Sequence, residues 1–170
     1  MVFIFFDIFD RISLVKKVKK RVYICTIIGL IIDLITKLFI SSKLDVGQSK
    51  IIIDKFFNIT LVHNTGGAFG LFHNSAYLLL LVSIVFLILF IYYIEKNKTS
   101  NMEEVCYGFI LAGIMGNMID RLIRGYVIDF FDFYIFGYDY PVFNFADIFI
   151  VVGIILMIFI YIKEIIWKKD

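Results

Sequence analysis

The sequence predicts an all-α polytopic membrane protein: four transmembrane helices, with a small extracytoplasmic β-element in the loop after the first. Three observations carry this fold class. The 170 residues are 61% hydrophobic with a mean hydropathy of +0.92, where a soluble domain is only about half apolar. Four apolar runs approach the ~20 residues that cross ~30 Å of hydrocarbon at ~1.5 Å per residue. The ionisable residues that interrupt those runs gather at one end of them. A single Pro and 19% charged residues exclude a disordered polar chain, and the length fits one domain.

The elements follow in order. Residues 1–21 carry Phe5, Ile8, Phe9, Ile12 and Val15 at helical spacing, then a run of Lys and Arg. A secretory signal would place its cationic region before the apolar one. This order instead predicts an interfacial amphipathic helix, an N-terminal extension to a membrane domain spanning 22–167. The spans are about 22–40, 76–94, 105–123 and 145–167. The extension, the connection between the second and third spans and the C-terminus together hold eleven Lys and Arg. The opposite side holds five: Lys43, Lys50, Lys55, Arg121 and Arg124. That asymmetry predicts cytoplasmic termini. The outer loop 41–75 contains β-branched and aromatic stretches, Ile51–Ile53 and Phe56–Val62, before the turn signal Asn64-Thr65-Gly66-Gly67. The second outer loop, 124–144, is rich in Phe, Tyr and Asp. Cys25 and Cys106 both fall inside apolar runs and read as buried structural thiols.

Ionisable groups inside a span are expensive and tend to be functional. This topology puts Asp33 and Lys37 of the first span, Asn117, Asp120 and Arg121 of the third, and Asn144 and Asp147 of the fourth at the outer end. Asn64 and Asp129 lie in outer loops. Asn117 and Asp120 share a helix face, and so do Asn144 and Asp147 if the fourth helix begins early enough. Gly108, Ala112 and Gly116 recur every four residues and lead to Asp120, a row that lets two helix backbones approach and turns Asp120 toward a neighbour. Asp33 and Lys37 stand i,i+4 in the favourable order for an ion pair. Each group has a plainer use: Asp33–Lys37 as a structural pair, Asn117, Asp120 and Arg121 as interhelical glue, Arg124 as a solvated or headgroup-facing charge. Asp132, Asp139, His63 and His73 read as solvated loop residues.

Five segments resemble, in order, the motifs of the lipoprotein signal peptidases, or signal peptidase II: Asp33-Leu34-Ile35-Thr36-Lys37, Asn64-Thr65-Gly66-Gly67-Ala68-Phe69, Gly116-Asn117-Met118-Ile119-Asp120-Arg121, Val127-Ile128-Asp129-Phe130, and Phe143-Asn144-Phe145-Ala146-Asp147. Leu34 stands where the family commonly has Gln, and Gly67 where it commonly has Ala. The resemblance implies an aspartic endopeptidase of the bacterial inner (cytoplasmic) membrane, with its site at the outer leaflet. It would cut the signal peptide from a prolipoprotein just before a diacylglyceryl-modified Cys. It implies Asp129 and Asp147 as the catalytic pair. Asn64, Asn117, Asp120, Arg121, Asn144, Asp33 and Lys37 would support the site or bind substrate. No metal or other cofactor and no nucleic acid is implied; the partners are the lipidated precursor and membrane lipid, and the protein is expected to be a monomer. Two close carboxylates share a proton, so one can act as base on a water while the other polarises the carbonyl. The rival is a small proton- or cation-coupled transporter using the same carboxylates, which would spread polar groups through the whole membrane depth. A further rival is a metal site built from Asp129, Asp132, Asp139 and Asp147.

Overall fold

The computed structural model describes residues 20–67 and 75–167. The helix expected before Val22, most of the basic run that follows it, Ala68 and Phe69 of the second motif, and His73 lie outside them. Four helices carry the chain: α1 (Lys20–Ser41), α2 (Ala76–Lys96), α3 (Asn101–Arg124) and α4 (Phe145–Trp167). All four are long and apolar enough to cross a membrane. Their edges have local causes. Ser100 and Glu103 form a reciprocal capping box at the start of α3. Gly125 ends α3 in the left-handed conformation, φ +77°, that lets the chain turn into the next strand.

Helix α3 is the centre of the bundle and packs on α1, α4 and α2. Glycine sets the closeness of the first two contacts. A Cβ on Gly108 would stand 2.5 Å from the Cys25 Cβ of α1, and one on Gly29 of α1 would stand 2.8 Å from the Ala112 Cβ. On the other side a Cβ on Gly153 of α4 would lie 2.9 Å from the Cys106 carbonyl. The row Gly108, Ala112, Gly116 therefore faces α1, as its spacing predicts, and Thr26 of α1 adds an interhelical hydrogen bond to the Gly108 carbonyl at 3.2 Å.

The chain between helices builds one antiparallel sheet. Strands β1 (Ser49–Ile53), β2 (Phe57–Asn64), β3 (Val127–Ile135) and β4 (Tyr138–Asp139) lie in the order β1-β2-β3-β4. The 124–144 loop is thus not irregular: it supplies β3 and β4, and its β-branched and aromatic run Val127–Ile135 pairs with β2. Leu61, Ile128 and Phe130 form a buried cluster against Ile40, Leu44 and Phe145, which seats the sheet on the ends of α1 and α4. The sheet and the polar ends of α1, α3 and α4 therefore meet at one end of the bundle.

Candidate active site

Nine polar residues from five separate segments converge where the sheet meets the helices. Asp129 sits on β3 and Asp147 in the first turn of α4; both line a cavity of about 750 Å³ with Asn64, Asn117 and Arg121. The rest of the wall is largely apolar, from Phe56, Phe133 and Tyr140 beside the sheet to Ile148 and Val151 on α4.

Each carboxylate is held from two sides. Asn64 Nδ2 donates to Asp129 Oδ2 at 2.9 Å and Asn144 Nδ2 donates to Asp129 Oδ1 at 2.7 Å. Asn117 Nδ2 donates to Asp147 Oδ1 at 2.8 Å, and the Asn144 backbone N–H donates to Asp147 Oδ2 at 3.1 Å. The Asp147 N–H returns to Asn144 Oδ1 at 3.0 Å. Asn144 therefore stands just before α4 as its cap, in a reciprocal arrangement with Asp147, and one residue touches both aspartates. Asp129 is buried, and that burial, followed by the nearby Asp147, pushes its pKa up to about 7 despite the Asn64 and Asn144 donors.

Behind the pair lies a buried ionic core. Lys37 Nζ is 2.8 Å from Asp33 Oδ2 and 3.0 Å from Asp120 Oδ2, and donates to Asn117 Oδ1 at 3.1 Å. Asp33 Oδ1 accepts the Ala146 N–H at 2.9 Å, one residue from Asp147. Asp120 Oδ2 accepts the Ile128 N–H at 3.2 Å, one residue from Asp129. Each buried carboxylate thus grips the backbone beside one member of the pair, and Lys37 joins the two.

Several expectations change. Arg124 is not a solvated or headgroup-facing charge but a partly buried partner of Asp120, 2.7 Å away, and Asp120 also pairs with Lys37. Arg121 makes separate contacts, because adjacent helix residues point about 100° apart. Arg121 donates to the Gly66 carbonyl at 3.1 Å and faces the cavity. Asp132 is buried and accepts from Thr60, because Asp129 and Asp132 occupy opposite faces of a strand. Asp139 is exposed on β4, so the four aspartates of the metal alternative do not converge. His63 stacks on Tyr126, ring centroids 3.8 Å apart. The Asp120–Arg124 spacing of four and the alternation of Val127–Ile135 were the signals available for Arg124 and Asp132.

The site has the parts of an aspartic hydrolase set into a membrane bundle: two hydrogen-bonded carboxylates, differently placed, at a cavity that could admit an apolar chain. The sequence profile described as Signal peptidase (SPase) II matches residues 25–163. The chain is 38% identical over 152 residues to the lipoprotein signal peptidase of Staphylococcus haemolyticus, covering 86% of this chain and 96% of that one. It is 42% identical over 134 residues to the lipoprotein signal peptidase of Fusobacterium nucleatum, covering 78% and 80%. A bacterial membrane enzyme solved by the in meso method at 2.3 Å superposes with a TM-score of 0.78 at 34% identity, over 84% of this chain and 88% of that one. The chain belongs to the signal peptidase II family and is a membrane aspartic endopeptidase of that family. The transporter alternative has no support among these relatives.

Proposed function

We propose that the chain cleaves the signal peptide from lipoprotein precursors just before a diacylglyceryl-modified Cys, with Asp129 and Asp147 as the catalytic pair. The observation that carries the assignment is the shared clamp: Asn144 donates to Asp129 from its side chain and to Asp147 from its backbone. Asp147, in the first turn of α4 and held by two donors, is the base. Asp129, with its pKa raised to about 7, carries the proton. Asp147 takes a proton from a water as the water oxygen bonds to the scissile carbonyl carbon. Asp129 gives its proton to the carbonyl oxygen, leaving a neutral diol. On collapse Asp147 protonates the departing nitrogen, one diol hydroxyl returns a proton to Asp129, and the C–N bond breaks. Asn64, Asn117 and Asn144 hold the carboxylates, Arg121 faces the substrate, and Asp33, Lys37 and Asp120 fix the backbone behind them.

The apolar cavity wall supports a lipidated substrate arriving sideways from the bilayer. Each buried CH₂ contributes ~0.8 kcal/mol, enough for two acyl chains to anchor the substrate. The Lys and Arg asymmetry supports cytoplasmic termini and a site at the outer leaflet of the cytoplasmic membrane. A monomer suffices, since every group of the site comes from one chain. The test is the initial cleavage rate of purified protein on lipidated and unlipidated prolipoprotein. Asp129→Asn and Asp147→Asn should each lose at least ~10²-fold, as expected of an acid–base partner, while remaining folded and membrane-inserted. A rate above about a tenth of parental in Asp129→Asn, against that ~10²-fold minimum, removes Asp129 from the pair. Equal rates on the two substrates remove the lipid requirement.

A further inference from the structure

Strand β2 carries an irregularity whose consequence reaches the catalytic pair. Phe57 pairs with Phe133 of β3 and Asn64 pairs with Val127, and both β3 partners line the cavity. Phe57 and Asn64 are seven positions apart, so in an unbroken strand they would face opposite sides. They share a face because the register shifts between Ile59 and Val62: Ile59 pairs with Phe131 and Val62 with Asp129, leaving Thr60 and Leu61 opposite the single residue Phe130. This is a β-bulge. Without it Asn64 would turn away from Asp129.

Two contacts hold the extra residue. Leu61 drops into the buried cluster with Ile128 and Phe130. Thr60 Oγ1 donates to Asp132 Oδ2 at 2.5 Å, and its only proton goes there; the Ser49 hydroxyl, 2.9 Å away, is left to donate to Thr60. Asp132 is only 4% exposed, and its Oδ1 has no hydrogen-bond partner among the described residues. A half-satisfied buried carboxylate is destabilising in itself. It touches neither the cavity nor the Lys37 core, so the mechanism above leaves it without a task.

We propose that Asp132 is a positioning residue: through Thr60 it pins the bulge of β2 that aims Asn64 at the Asp129 carboxylate. The proposal rests on Asp129 belonging to the catalytic pair. Asn64 donates to Asp129 and so favours its ionised form. Loosening the bulge therefore moves the pH at which Asp129 loses its proton upward, besides slowing turnover.

The test compares Thr60→Val, Thr60→Ser, Asp132→Asn, Asn64→Ala and the double variant Thr60→Val/Asn64→Ala, as full chains in lipid, on lipidated prolipoprotein between pH 5 and 9. Thr60→Val should keep KM and lose about tenfold or more in kcat, within the ~10²-fold that a displacement of ~1 Å can cause. Its alkaline limb should move up, as should that of Asn64→Ala, and the double variant should shift no further than either single one. Thr60→Ser and Asp132→Asn keep a donor and an acceptor and should restore the parental profile. Parental kcat and limb in Thr60→Val overturn the proposal, as do a loss of thermal stability alone or additive shifts in the double variant. Asp129→Asn separates the two levels. If it stays active, the catalytic pair itself is wrong; if it is inactive while Thr60→Val behaves as parent, only the positioning role falls.

Discussion

The amides of Asn117 and Asn144 decide how the site works, because each can point only one way. Asn117 Oδ1 receives Lys37 and Asn144 Nδ2, the latter at 3.0 Å, so its Nδ2 must donate to Asp147. Asn144 Oδ1 receives the Asp147 N–H, so its Nδ2 is committed to Asp129. The raised pKa of Asp129 then gives a signed expectation. Below about pH 7 Asp129 holds its proton, and above it the proton is lost. Cleavage should therefore fall about tenfold per pH unit beyond that point, the slope of a single ionisation. A pH–rate profile checks it, and a flat profile to pH 9 would contradict Asp129 as the acid. Lys37 has a different signature. Arg124 already serves Asp120, so Lys37→Met leaves Asp33 buried with no cation. Breaking a buried pair from one side costs about 3–5 kcal/mol. Thermal unfolding in detergent should show that loss, and adding Asp33→Asn should recover part of it. These partners were only partly legible in the sequence. The Asp33–Lys37 spacing pointed to a pair, but the third member, Asp120, lies eighty-three positions beyond Lys37 in no local pattern; only packing of α3 on α1 brings it there.

Among elements, the helices were legible and the sheet was half legible. Long apolar runs fix helix length within a few residues, because the hydrocarbon thickness sets it. The loop 124–144 is harder. Its run Val127–Ile135 has strand composition, but Asp129, Asp132 and the aromatics dilute the alternation, and its partner β2 lies more than sixty residues away. The bulge at Thr60–Leu61 leaves no composition signal at all, since no Gly or Pro marks it. The small-residue row, by contrast, was readable from spacing alone, and it predicts a mutational effect with no polar group involved. A Cβ on Gly116 would collide with the Asp33 carboxylate. Gly116→Leu must therefore push α1 from α3 and pull Asp33 off the Ala146 N–H that steadies Asp147. Overpacking of this kind costs about 1–3 kcal/mol. Gly116→Leu should lower both the unfolding temperature and the cleavage rate. Gly125→Ala, where nothing among the described residues lies within 4 Å of the added Cβ, tests only backbone strain and should leave the cleavage rate per folded molecule unchanged.

For the whole molecule, the decisive property is that one end of the bundle collects the sheet, the ionic core and the cavity, while the other end of the described residues is held by the Ser100–Glu103 cap and an Arg21–Asn101 hydrogen bond of 2.6 Å. Which end faces the cytoplasm determines whether the site can meet a substrate translocated across the membrane. The charge asymmetry of eleven Lys and Arg to five is the reason for proposing that the sheet end faces outside. Asp45 precedes β1 at the sheet end, and Lys98 lies in the turn between α2 and α3 at the opposite end; both are exposed. Replace Cys25 and Cys106 with Ala, then introduce Asp45→Cys and Lys98→Cys in separate variants. A membrane-impermeant thiol reagent applied to intact cells should label the Asp45→Cys protein alone, and both proteins after the cells are opened. Labelling of the Lys98→Cys protein alone on intact cells would turn the bundle over. It would place Asp129 and Asp147 on the cytoplasmic side, where a translocated precursor could not reach them.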